Sequence, residues 1–186
     1  MNPQDSKIQL SNQSTYPPSP DIPLKDYFCI QLRQSARLAL PIENVAEVFS
    51  VAYGDICPIP GVATALLGVV NQNGQLIWVL ELADLLSELL GLAPSPIDYG
   101  KWDSLTVLLI TNCLNSQKGV PPQRLACVVS ALKGVVQIDK TNITAIPEDF
   151  SPAFSSFFLG VVKIEDESVA VLNVSAVFAA LRLVEP

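Results

Sequence analysis

The chain contains no histidine, and its four cysteines, Cys29, Cys57, Cys113 and Cys127, form no C-x-x-C pair. A zinc site of the usual kind therefore has no support. Cys29 and Cys127 fall inside apolar strand patterns, where a cysteine acts as a small buried hydrophobe, and all four are expected to be reduced and unpaired. Nucleophilic catalysis by serine or cysteine relies on a base, most often histidine, and G-x-S-x-G is absent as well, which argues against a hydrolase. The nine glycines are spread singly, giving neither G-x-x-x-x-G-K-[ST] nor G-x-G-x-x-G. Nucleotide use has no support.

Basic residues are scarce too, eleven against eighteen acidic ones, for a net charge of -7, and they are scattered rather than gathered into a stripe. That pattern argues against nucleic acid or anionic lipid as partner. Nowhere do eighteen apolar residues run together, and the start, MNPQDSKIQLSNQSTYPPSP, lacks the basic and apolar regions of a secretory signal. Membrane insertion is not expected, and the cytoplasm is the expected compartment.

What is present is apolar material: 49% of the 186 residues are hydrophobic, enough to fill a core. Residues 1–24 are rich in Asn, Gln, Ser and Pro and read as a flexible tail. From Asp26 short runs of Val, Ile and Leu alternate with turn residues, predicting strands at Tyr27–Arg33, Ala36–Ile42, Leu66–Gln72 and Gln75–Leu82. A second set is predicted at Ser104–Thr111, Arg124–Ser130, Gly134–Ile138, Phe158–Ile164 and Ser168–Val174. Helical spacing appears only at Ala83–Leu90, which ends on Gly91, and at Ser175–Leu183.

Laid on itself, the chain repeats. Arg37-Leu38-Ala39 recurs as Arg124-Leu125-Ala126, and Ile42, Val45, Val48, Ile56, Ile59 and Pro60 meet Val129, Leu132, Val135, Ile143, Ile146 and Pro147. After a change of loop length, residues 66–86 match 158–178 without a gap, Gly68 falling on Gly160 and Val79-Leu80 on Val171-Leu172. A mainly β fold of two similar five-stranded barrels with short helices, one of them C-terminal, is expected. The halves are residues 25–97 and 98–186, joined by the link Asp98–Asp103, and each is expected to curl into its own barrel.

Catalytic chemistry remains hard to find. Glu165-Asp166-Glu167 falls where the repeat predicts a hairpin tip, and Glu47 and Glu81, each near apolar segments, are the only motive for a carboxylate enzyme. No catalytic or metal-binding residue is assigned. A binding surface is the better reading, and Ile42–Phe49, whose apolar positions 45, 48 and 49 surround Glu47, is its best candidate.

Several motifs give this pattern a family. Val45-Ala46-Glu47-Val48, Ile59-Pro60 and Gly68-Val69-Val70-Asn71-x-x-Gly74 lead into Ile77-x-Val79-Leu80-Glu81-Leu82. In the second half come Ala126-Cys127-Val128-Val129, Val135-x-x-Ile138, Ile143-x-x-Ile146-Pro147 and Leu159-Gly160-Val161. In this order they resemble the CheW-like domains, which link chemoreceptors to the histidine kinase CheA, and the resemblance covers residues 26 to 184. It implies a non-catalytic cytoplasmic adaptor in chemotaxis or motility signalling, without cofactor. One barrel would dock the regulatory domain of a CheA-type kinase, and a groove between barrels would take a chemoreceptor's cytoplasmic tip. Partner-binding residues would be Val45, Glu47, Val48, Gly68, Asn71, Asn73 and Gly74.

Two departures accompany the resemblance. The family's N-x-R-G, whose arginine contributes to receptor contacts, reads Asn71-Gln72-Asn73-Gly74, and an acidic residue common after the V-V pair is Ser130. An adaptor for a specialised pathway such as pilus-based motility fits these changes. The alternative is a free-standing β-barrel module that binds another kinase or a pilus component.

Overall fold

In a computed structural model the residues described are 24–33, 36–92, 103–112 and 122–181. Most of the expected tail and of the link between halves lies outside them. Among the described residues ten strands account for most of the fold. In the first half they are β1 (Leu24–Gln31), β2 (Arg37–Pro41), β3 (Val45–Ala52), β4 (Leu66–Gln72) and β5 (Gln75–Glu81); in the second, β6 (Ser104–Asn112), β7 (Gln123–Val129), β8 (Ala131–Asp139), β9 (Phe158–Ile164) and β10 (Glu167–Leu172). Helices α1 (Leu82–Leu89) and α3 (Val174–Leu181) follow β5 and β10, and a short α2 (Pro152–Ser155) precedes β9.

The strands form two five-stranded sheets, ordered β8-β1-β2-β10-β9 and β3-β6-β7-β5-β4. The second order is the first with each strand replaced by its equivalent from the other half, so the internal repeat is a repeat of structure. The expectation that each half curls by itself is corrected: the hairpin β1–β2 joins strands of the second half, and β6–β7 joins strands of the first. Short connections enforce the exchange. Pro41, which has no N–H to continue a ladder, leads into the 3-10 turn Ile42–Asn44 and so into the other sheet, and a single residue, Ser130, carries β7 to β8.

Each sheet closes on itself. The chain beyond β3 returns to β4 as Cys57 and Val69 exchange backbone hydrogen bonds of 2.8 and 2.9 Å. Beyond β8, Thr144 and Val161 do the same at 2.8 Å each, so both sheets become barrels whose edges are covered. Three cores result. Val51, Val70, Val79 and Val107 fill one barrel, and Tyr27, Ile138, Val162 and Val171 fill the other. The largest cluster, including Ile30, Leu80, Leu108, Ile110, Leu125 and Phe178, lies between the barrels and under α1 and α3. Apolar burial on this scale, roughly 25 cal/mol for each Å² removed from water, fixes one barrel against the other.

Local chemistry ends the elements where they end. Gly91, at a φ of 70°, terminates α1 in a Schellman motif, with Leu92 N–H donating to Ser87 at 2.9 Å and Gly91 N–H to Glu88 at 3.0 Å. Glu81 caps the start of α1 through Ala83 N–H at 3.2 Å, and its equivalent, Asn173, receives Ala176 N–H at 3.4 Å at the start of α3.

Candidate partner-binding surfaces

The segment expected to meet a partner, Ile42–Phe49, is mostly the edge strand β3. A bulge between Val45 and Glu47 breaks its alternation, leaving Ala46, Glu47 and Val48 all exposed, and Val48 is 39% exposed. The β4–β5 hairpin stands beside it. Gln72 Nε2 donates to Glu47 Oε1 at 3.5 Å, which brings the two expected binding segments onto one face of one barrel.

The hairpin tip is a two-residue turn with Asn73 at a φ of 53° and Gly74 at 82°, the Asn-Gly choice for a type I′ turn. Asn71 Oδ1 accepts from Gly74 N–H at 2.9 Å and fixes the tip. Asn73 therefore projects from an exposed left-handed position that asparagine adopts more readily than arginine. Gly68 stands apart from the other candidates. It is buried at a φ of 143°, where a Cβ would overlap the Cys57 carbonyl, so it sits where the barrel closes rather than on the exposed face.

The carboxylates do not make an acid–base pair. Glu47 is exposed on β3, whereas Glu81 is 2% exposed at the end of β5 and faces Arg33 Nε at 3.6 Å. Arg33 also donates to Asp84 of α1, completing a cluster that ties the end of β1 to α1. Glu165 and Asp166 form the β9–β10 hairpin tip as expected, at φ of 49° and 64°, and Glu167 pairs with Arg37 at 2.9 Å. No group of three potential metal ligands occurs among the described residues. Burial, with Glu81 nearby, pushes the Cys127 thiol far up, so it stays neutral; Cys29 is buried too, while Cys57 is exposed.

The sequence reading missed the residues of a groove. Between α1 and the β2–β10–β9 barrel lies an apolar cavity of about 600 Å³. One wall comes from α1 and its C-cap, through Asp84, Ser87 and Leu90, and the other from Phe150, Phe154 and Phe158. The three rings pack in a row, tilted to one another, with centroids 5.1 and 5.0 Å apart. Five residues separate Pro60 from Leu66 but ten separate Pro147 from Phe158, and the extra length carries α2 with Phe150 and Phe154. That length change is the trace these lining residues leave in the sequence.

The site therefore consists of two exchanged barrels with a shared core, an exposed apolar edge face and a groove whose described lining is mostly apolar. The CheW-like domain model matches residues 26–182, and the chain belongs to that family. Among solved structures, the crystal structure of the scaffolding protein TtCheW from Thermoanaerobacter tengcongensis shares the fold. Its TM-score is 0.59 at 21% identity, with 80% of this chain and 84% of that one covered. No curated protein sequence matches. No helix among the described residues is long and apolar enough to cross a membrane.

Proposed function

We propose that this chain is a non-catalytic cytoplasmic adaptor that couples chemoreceptor-type sensors to a CheA-type histidine kinase. The observation that carries the reading is the face where Val48 stands exposed beside Glu47 and within reach of the β4–β5 hairpin. A protruding valine on an edge strand, ringed by polar groups, is how a small apolar contact with another barrel is built. On this reading Val45, Glu47, Val48, Asn71, Asn73 and Gly74 meet the kinase's regulatory domain.

The groove supplies the second contact. Apolar clefts of this kind accept an amphipathic helix by its apolar face, and a chemoreceptor tip would dock there. Size-exclusion chromatography of the chain mixed with a CheA-type regulatory domain tests the reading. Co-elution as a discrete complex supports it, and separate elution with every CheA-type regulatory domain from the same genome overturns it.

A further inference from the structure

Residues 66–86 and 158–178 repeat without a gap, yet one equivalent pair differs sharply in size, Trp78 and Ala170. Ile77 and Val79 fill their barrel, so Trp78 between them points out of it and is half-buried against the central cluster. It lies between Val69 on β4 and Leu125 on β7. Val169 and Val171 fill the other barrel in the same way, and Ala170 between them points out of it and lines the groove. Its neighbours are Val161 on β9 and Leu38 on β2, the equivalents of Val69 and Leu125, and both line the groove as well. One setting therefore holds an indole in the first half and a single methyl in the second. Two positions earlier, Leu76 of the first half is replaced by the smaller Ser168, which also lines the groove.

The longer loop of the second half adds a complement to that space. Phe150, Phe154 and Phe158 form their row along the same groove, from Phe158, 9% exposed, to Phe150, 41% exposed. Aromatic rings favour offset or tilted neighbours with centroids roughly 4.5–7 Å apart, so a further ring extends such a row where an aliphatic side chain only fills space. At the exposed edge of the lining the Ser168 hydroxyl offers an acceptor for an indole N–H.

Building on the reading of the groove as a helix-docking site, we propose that it recognises an amphipathic helix of another protein by one aromatic anchor, whose ring enters the space over Ala170 and continues the row of phenylalanines. The partner then supplies the ring that Trp78 supplies in the first half. Ala170 and Ser168 decide which helices dock, by being small.

Calorimetric titration with three designed helical peptides tests this. They share one leucine stripe and differ at a single central position, which carries Trp, Leu or Ala. The Trp peptide is expected to bind about tenfold more tightly than the Leu peptide, through its larger buried area and its ring contacts, and the Ala peptide most weakly. Ala170→Trp refills the space with the first half's own residue, in a register that accommodates it there, and should bring the Trp and Leu peptides to the same affinity. Ser168→Leu, at an exposed position, is the milder variant and should narrow the gap. Circular dichroism checks that both fold. Phe154→Ala should weaken the Trp peptide more than the Ala peptide. Equal binding of the three peptides would leave a helix groove without an aromatic anchor and overturn the proposal, as would a tenfold gap that survives in the folded Ala170→Trp variant. Failure of all three to bind would overturn the docking reading together with it. Self-association of the chain alone that Ala170→Trp disrupts would give the groove to a second copy and overturn the proposal too. Binding of the kinase regulatory domain to the same preparation reports separately on the adaptor reading.

Discussion

Gly68 and Gly160 occupy equivalent points of the two barrels, at φ of 143° and 149°, each beneath the carbonyl of the residue that closes its barrel, Cys57 for one and Thr144 for the other. Ladder slips at Leu66/Gly68 and Phe158/Gly160 coincide as well. Closure of both barrels thus depends on the same missing side chain. Gly68→Ala and Gly160→Ala should each cost about 2 kcal/mol or more, because strain and overlap with backbone add. Gly134→Ala is the comparison: its φ is 131°, but a Cβ there meets nothing within 4 Å, so about 1 kcal/mol of strain is expected. Urea melts of the three variants separate the two effects.

Arg33 should be far more costly to neutralise than Arg37. Its side chain is 17% exposed against carboxylates at 3% and 10%, whereas Arg37 and Glu167 are 33% and 57% exposed. Arg33→Met leaves two buried carboxylates without their counter-ion and should lose about 3 kcal/mol or more. Arg37→Met should change stability by about 0.5 kcal/mol or less. Chemical denaturation measures both, and equal losses would contradict the burial argument.

Thiol reactivity should follow burial. Ellman's reagent on the native protein is expected to modify Cys57 quickly and Cys29 and Cys127 only as the protein unfolds, and the denatured chain should show all four thiols free. The Cys127 thiol is raised in the fold above its ordinary value of 9.0, so its contribution is complete below that pH. Above it the unfolded thiol ionises first, and stability should decline with rising pH. Replacing Cys127 with Ala should flatten that decline.

Deleting residues 1–23 should leave the melting temperature nearly unchanged, since a Ser- and Pro-rich stretch has little apolar surface to bury. A fall of about 5 °C or more in a thermal scan would show that it packs.

Much of this arrangement was legible in the sequence wherever alternation was unbroken. Strands Leu66–Gln72 and Phe158–Ile164 were read to the residue, because buried and open positions alternate through them. Strand β3 escaped, because its bulge and three consecutive exposed residues erase the two-residue period. The exchange of hairpins was invisible for another reason: a repeat reads the same whether β1 pairs within its half or, as it does, with β8. Gly68 was read as a contact residue because a sequence places it beside Asn71 and Gly74 without showing that the backbone beyond β3 folds back over it. The groove joins Arg33, Asp84 and Phe154, which belong to three distant segments, and no local pattern links them.

The most direct test of the adaptor account is the affinity of Val48→Arg for a CheA-type regulatory domain. Val48 is 39% exposed, so arginine should be accommodated, and an unchanged circular dichroism spectrum and melt would verify folding. Calorimetry should show binding weakened at least about 100-fold, near 2.7 kcal/mol, from a charge set into an apolar contact. Glu47→Ala should weaken it less. Wild-type affinity in a folded Val48→Arg variant would contradict the account and move the kinase contact to another surface.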